Sequence, residues 1–313
     1  MSGERWARAA ELGTARGLRI VAAIVRRAPR RVAIALVSFI AGYYALRGRE
    51  PRRASRDYLA RVAATPEGRA ALGGPPGAGT VVRHFREFAV SICDRLLVWS
   101  DALSALRVER DGSDKIFEVA RSGRGALLVA AHLGSLDMLS FLSQHYGLQV
   151  AIVGYFGNAP RINAYLESLG AGRGLRLIEL DPGWVRAAFE IRASLSRGEL
   201  VVMMADRVPP LRAGRVETVP FLGAPARFSA APFHLALAIG CPVFFALCVR
   251  TGDATYRTVL RPLAEASRVP ASERDKRAHE LVQAYAALLE SWVLRFPLQW
   301  FNFYDFWEAD RQA

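Results

Sequence analysis

The sequence predicts an α/β chain in which a largely parallel central sheet is flanked by helices, behind an N-terminal arm of amphipathic and apolar helices. Three observations carry this. Short apolar, β-rich runs alternate with segments of helical length over most of the chain, the pattern of βαβ units whose sheet is covered on both faces. A length of 313 residues, 52% of them hydrophobic, is enough for a sizeable core. The net charge of +13 is also uneven, because residues 1–57 hold thirteen arginines against four acids, +9 of the total. Basicity therefore belongs to the arm and not to a nucleic-acid face spread over the fold.

Within the arm, "VAIALVSFIAGYYAL" (residues 32–46) runs fifteen residues without a charge, with arginines at 26, 27, 30 and 31 before it and at 47, 49, 52 and 53 after it. As a helix it reaches roughly 22 Å at 1.5 Å per residue, short of the roughly 30 Å hydrocarbon core. A single crossing also calls for more positive charge on one flank than on the other. The composition fits a monotopic anchor instead: "LRIVAAIV" and residues 32–46 form two short helices that break near Pro29. They lie in the interface and hold arginines against anionic headgroups at about 1 kcal/mol each. A buried core helix with a solvated basic surface is the alternative. A secretory signal is disfavoured, since the apolar run starts late and no small-residue cleavage site follows.

Past the arm, "GREPRRASRDYLARV" reads as a charged linker running into a helix, and "GGPPGAGT" as a breaker. Strands follow at "GALLVAA", "LQVAIVG", "LRLIEL", "ELVVMMA" and "PVFFALCVR", with "YRTVLRPL" as a further one. Helices are expected over residues 135–145, 161–169, 185–196 and 228–239, and a long one over 273–294. This divides the chain into an anchoring arm, residues 1–55, and one domain, residues 56–313. Cys93, Cys241 and Cys248 sit in apolar surroundings with no Cys-x-x-Cys spacing. They read as reduced core residues, not as a disulfide framework or a zinc site.

The stretch "AAHLGSLDML" places His132 directly after an apolar strand, with Asp137 five positions later and Ser135 able to cap the next helix. Five positions on one helix span about 140° at 3.6 residues per turn, so a shared helical face does not bring the two together. A strand-to-helix turn does. The carboxylate then reaches one imidazole nitrogen and leaves the other facing the carboxyl end of the sheet, where open α/β sheets bind ligands. An imidazole so oriented removes a proton from an attacking hydroxyl, an effect worth roughly 10² to 10⁴ in rate, while the carboxylate fixes its tautomer. The spacing alone does not separate this pair from a structural histidine at a strand end.

Further blocks follow in order: "RGELVVMMADR", "VPFLGAPARF", "GCPVFFALCVR" and "PLQWFNFYDFW". With "AAHLGSLDML" and the amphipathic arm, they make the chain resemble the lysophospholipid acyltransferase superfamily. Within it, the resemblance is to the branch of bacterial lipid A biosynthesis (lauroyl/myristoyl) acyltransferases, as a divergent subgroup. It runs from about Trp6 to Trp307. Asp137 stands where that branch usually carries Glu, and the aromatic ending replaces a usually basic one, which points to an acceptor other than a lipid A precursor.

The resemblance implies transfer of a fatty acyl group from an acyl-carrier-protein or coenzyme A thioester to a hydroxyl or amine of a membrane lipid or glycolipid, at the cytoplasmic face of the bacterial inner membrane. His132 is then the general base and Asp137 its orienting carboxylate, with no metal or bound cofactor. No G-x-S-x-G elbow is present to suggest a serine hydrolase. Asp206 and Arg207, just past a strand in "ADRVPP", are placed to bind acceptor sugar or phosphate oxygens. In "VPFLGAPARF", Gly223 is assigned to close backbone approach and Arg227 to a phosphate. "NAPRINAYLESLGAGRG" offers Asn163 and Arg173 as polar groups near the cleft, and the closing aromatic run fits an acyl pocket, a membrane interface or core packing. A non-catalytic membrane-surface protein that binds lipid or a carrier protein is the alternative, and in it His132 and Asp137 are dispensable.

Overall fold

The computed structural model describes residues 24, 27–99, 106–112, 114–136, 138, 145–154, 175–180, 184–208 and 215–307. Helix α1 (Arg30–Arg47) starts directly after Pro29, as the break in the sequence suggests. It turns its small side chains, Ala33, Val37, Ala41 and Ala45, inward at a spacing of four, which lets it lie along helix α4 (Ala78–Trp99). Its bulky apolar residues face out: Phe39 is 79% and Leu46 74% exposed, and Val32 and Tyr43 are exposed too.

Helix α2 (Arg49–Ala64) departs from α1 at 96°. The charged linker expected here is helical from Arg49 onward, and it runs through residue 55 without interruption. Pro51 is compatible with this because the first helical turn has no use for its missing N–H. Arg52 closes the preceding helix by donating from Nη1 to the carbonyls of Ala45 and Leu46 at 2.9 and 2.5 Å. No single described helix is long and apolar enough to cross a membrane, and α1 with α2 meet that length and composition only as a bent pair. The expected helix before Pro29 lies outside the described residues.

After α3 (Pro66–Leu72) and α4 comes a seven-stranded sheet in the order β1-β9-β8-β2-β5-β3-β4. Its strands are β1 (Arg107–Asp111), β2 (Ala126–Gly134), β3 (Val150–Gly154), β4 (Leu175–Glu179), β5 (Leu200–Met204), β8 (Val243–Arg250) and β9 (Thr255–Ala264). All neighbouring pairs are parallel except β8 with β9. Every strand expected from the apolar runs is present. Strand β1, "RVERD", escaped that reading because an edge strand carries charges; Arg257 and Arg261 of β9 pair with its Glu109 and Asp111 at 3.0 and 2.8 Å.

The other described helices are α5 (Asp114–Arg121), α6 (Val185–Ser196), α7 (Ala231–Ile239) and α8 (Arg274–Arg295). One face of the sheet packs against α6, α7 and α8, and the other against α5. Helix α7 starts later than its expected residue 228. Phe228 and Ser229 belong instead to β7 (Ala224–Ser229), which forms an antiparallel hairpin with β6 (Val216–Phe221). The expected tight loop of "VPFLGAPARF" is this hairpin. Its two-residue turn holds Leu222 at φ 49° and Gly223 at φ 75°, the left-handed pair that a type I′ turn requires. A Cβ on Gly223 would meet nothing within 4 Å, so the glycine serves the turn and not a close approach.

Candidate active site

Parallel register brings the site together. Strands β2 and β5 pair with a constant offset, Ala126 with Leu200 through Ala130 with Met204. Continued two residues further, the same offset sets His132 beside Asp206 at the carboxyl end of the sheet. A bulge sits at this point: between the pairs Ala130–Ala246 and Gly134–Cys248, residues 131–133 of β2 stand opposite Leu247 of β8 alone. Gly134 closes the bulge at φ 76°, and a Cβ there would lie 2.1 Å from the Cys248 carbonyl oxygen, so only glycine fits. Bulges of this kind re-aim side chains beside active sites.

Asp206 is fully buried and accepts four hydrogen bonds. His132 donates its backbone N–H to Oδ2 at 2.9 Å and its Nδ1–H to Oδ1 at 2.8 Å. Trp300 Nε1 and Asn302 Nδ2 donate to Oδ2 at 2.9 and 3.0 Å. Burial on its own pushes the carboxyl up, but the imidazole's charge and its hydrogen bonds outweigh that and hold Asp206 below its usual range, as a carboxylate. A carboxylate only accepts, so His132 carries its proton on Nδ1, and the lone pair on Nε2 is left for the cavity. Burial and then the Arg207 guanidinium lower the His132 pKa, against the opposing pull of Asp206. The ring is thus a neutral base at neutral pH.

The C-terminal segment forms a strap across this pair. Leu133 and Trp300 make an antiparallel bridge, and Phe301 donates its N–H to the His132 carbonyl at 2.8 Å. Extended backbone alternates its side chains. Trp300 and Asn302 therefore turn inward to Asp206, while Phe301 and Phe303 stack on the other side with ring centroids 6.5 Å apart. Arg207 locks the strap, donating from Nε to Asn302 Oδ1 at 2.7 Å and from Nη2 to the Phe301 carbonyl at 2.9 Å.

Above His132 lies a cavity of about 450 Å³. Beside His132, Leu136, Met204 and Arg207, its lining includes Phe301, Phe303 and Tyr304 of the strap, Glu50 and Arg53 of α2, and Phe88, Ser91 and Arg95 of α4. Of the residues singled out in the sequence, His132 and Arg207 line this cavity. Asp206 was expected to bind acceptor oxygens, but its carboxylate is buried beneath the histidine with its oxygens turned to protein donors. Gly223, at an exposed hairpin tip, and Arg227 of β7 are not among the lining residues. Asp137, Asn163 and Arg173 lie outside the described residues. The nitrogen expected to take the Asp137 carboxylate is bonded to Asp206.

Trp300 and Asn302 were missed as supports, although the alternating order "WFNF" signals an extended segment with two faces. Glu50, Arg53, Phe88 and Arg95 had no local signal, since their place in the site depends on how α2 and α4 pack.

A second histidine braces the strap from behind. His84 of α4 is fully buried, with Nδ1 2.9 Å from Ser55 Oγ and Nε2 3.0 Å from the Trp300 carbonyl oxygen. The carbonyl must accept, so Nε2 carries the proton and Nδ1 accepts from the serine. Burial lowers the His84 pKa from 6.5 to about 4, against the raising effect of its bond to Trp300. The unfolded chain therefore binds this proton more readily than the native one. The stability that the neutral imidazole contributes is complete above pH 6.5 and falls away between 6.5 and about 4. Between pH 7 and pH 5, the wild type is expected to lose about 2 kcal/mol more than His84→Gln in urea unfolding. Equal losses in the two proteins would remove His84 as the cause.

The chain as a whole is similar to known proteins. Residues 17–308 match the family model described as bacterial lipid A biosynthesis acyltransferase. A phosphatidylinositol mannoside acyltransferase of Mycolicibacterium smegmatis is 28% identical over 313 aligned residues, covering 96% of this chain and 92% of that protein. With the family model spanning nearly the whole chain, the protein belongs to the bacterial lipid A biosynthesis acyltransferase family and is an acyltransferase of lipid biosynthesis.

Proposed function

We propose that the protein transfers a fatty acyl group from a thioester of acyl carrier protein or coenzyme A to a hydroxyl of a membrane lipid or glycolipid, with His132 as general base. The observation that carries this reading is the buried Asp206 carboxylate on His132 Nδ1, which leaves Nε2 toward the cavity. The acceptor hydroxyl gives its proton to Nε2 as its oxygen attacks the thioester carbonyl. The tetrahedral intermediate expels the thiolate, which takes the proton back from the imidazolium, and the products are an ester and a free thiol. Asp206 stabilises the imidazolium between these steps. Asp137 remains the second acid of the His-x4-Asp motif. The aromatic lining, Phe88, Phe301 and Phe303, suits an acyl chain.

The same reading puts the protein on the cytoplasmic face of the inner membrane, with residues 1–55 as its anchor. The outward row of Val32, Phe39, Tyr43 and Leu46 on α1, flanked by arginines, supports it. Flotation with anionic liposomes is expected for the wild type and is expected to be reduced in Phe39→Gln/Leu46→Gln. Equal flotation of both would reject α1 as the contact.

The test of the chemistry uses detergent-solubilised protein with labelled acyl-carrier-protein and acyl-coenzyme A donors, and a lipid extract of the source organism as acceptor. A labelled lipid is expected with the wild type and none above background with His132→Ala. Product of equal yield from folded His132→Ala would sink the assignment.

A further inference from the structure

Beneath the site, the ladder between β2 and β5 ends in a fork. The Ala130 carbonyl takes its last bond from the Ala205 N–H, at 3.2 Å. In an unbroken parallel ladder the next bond would run from the His132 N–H to the Ala205 carbonyl. That carbonyl instead accepts from Ser229 of β7 at 2.8 Å, and the His132 N–H turns to Asp206 Oδ2. At the point of divergence stands a hydroxyl from the opposite layer: Tyr285 of α8 donates from Oη to the Ala130 carbonyl at 2.8 Å. Its ring is fully buried, with centroids 5.7–5.9 Å from those of Phe228, Phe233 and Phe245. Phenylalanine would fill the same space, so the hydroxyl is what distinguishes the residue. Burial, with a further push from the Asp206 charge, holds the phenol well above its usual range, so it donates at every pH of interest.

Ala130 is the last regular residue before the bulge that aims His132. We propose that Tyr285 is a positioning residue for His132: its hydroxyl fixes the final ladder peptide of β2, from which the bulge turns the imidazole to Asp206 and the cavity. Without it, the carbonyl keeps one long bond in apolar surroundings, and its peptide is free to tilt. A small misplacement of a base lowers the rate without weakening substrate binding. The significance for the reaction rests on the acyl-transfer reading of His132.

Tyr285→Phe removes only the hydroxyl and keeps the ring packing, and ¹³C NMR of the histidine-labelled full-length protein in neutral detergent reads the position of the base without turnover. The His132 signal is assigned by its loss in His132→Ala. Burial and Arg207 lower the His132 pKa while Asp206 raises it, so a looser bond to Asp206 moves the titration to lower pH. The charged groups around the ring, Asp206, Arg207 and Arg95, and on the cavity wall Glu50, Arg53 and Asp305, are the same in both proteins. A shift therefore reports a change of place. Tyr285→Phe is expected to show it, together with a kcat roughly tenfold lower and unchanged KM for donor and acceptor. Phe228→Leu, which loosens the same aromatic packing but keeps the hydroxyl, is expected to unfold at lower urea with neither change. An unmoved titration in folded Tyr285→Phe would overturn the proposal, and so would an equal shift in Phe228→Leu, since the hydroxyl would then serve stability alone. A shifted titration in a protein that transfers no acyl group would keep the positioning and discard the chemistry; transfer abolished by His132→Ala, with no shift in Tyr285→Phe, would do the reverse.

Discussion

Asp206→Asn is expected to lower the acyl-transfer rate by about 10³- to 10⁴-fold at neutral pH, nearly as far as His132→Ala. The carboxylate takes two of its four hydrogen bonds from His132 and two from the strap. An amide keeps one acceptor oxygen and puts an NH₂ donor where the other stood, so one side of this set faces donor against donor. If the amide turns its NH₂ to Nδ1, the imidazole must accept there and move its proton to Nε2, which removes the lone pair that the reaction needs. If it turns its oxygen to Nδ1, the NH₂ meets the His132 backbone N–H, the Trp300 indole and the Asn302 amide. Either way, the imidazolium loses its compensating charge. Initial rates with saturating donor and acceptor measure the effect. Asp206→Asn combined with His132→Ala is expected to lose little beyond His132→Ala, because the two groups act as a unit. A loss below tenfold in folded Asp206→Asn would mean that the carboxylate does not orient the base.

The second large effect is on stability. Arg30, the first residue of α1, grips Asp94 of α4 with Nε and Nη2, both at 2.9 Å. Asp94 is fully buried and also accepts from Tyr256 Oη of β9 at 2.6 Å. Arg30→Met leaves that carboxylate buried with the tyrosine alone, and breaking a buried pair from one side costs about 3–5 kcal/mol. Urea unfolding of the detergent-solubilised protein measures it. Arg30→Met with Asp94→Leu is expected to be more stable than Arg30→Met, since no charge is then left unpaired. A change under 1 kcal/mol in Arg30→Met would show that the clamp does not secure α1. The same clamp ties the helix with the exposed apolar row to α4, which lines the cavity, so that row and the site are held by one connection.

How much of this was legible beforehand follows the range of the interactions. Apolar runs such as "GALLVAA" and "ELVVMMA" are local patterns, so six of the seven sheet strands and the long α8 could be read directly. His132 at a strand end was legible for the same reason. Its Nδ1 partner was not, because Asp137 is close in sequence while Asp206 stands 74 positions away. Asp206 is set beside the base by the pairing of β2 with β5, which no local pattern encodes. The hairpin of β6 and β7 was read as a loop because its turn depends on Leu222, a residue with no usual preference for positive φ; it is held there with its N–H on Glu290 Oε2 at 2.6 Å.

The sequence by itself determined the α/β class, the basic and apolar arm, the family resemblance, and the histidine at the carboxyl edge of the sheet, since each rests on residues near one another in the chain. Only the tertiary structure decided that Asp206, Trp300 and Asn302 surround that histidine's support, and that α2 and α4 wall its cavity. Strand register and helix docking are long-range choices, made by the burial of the whole core and not by any one segment.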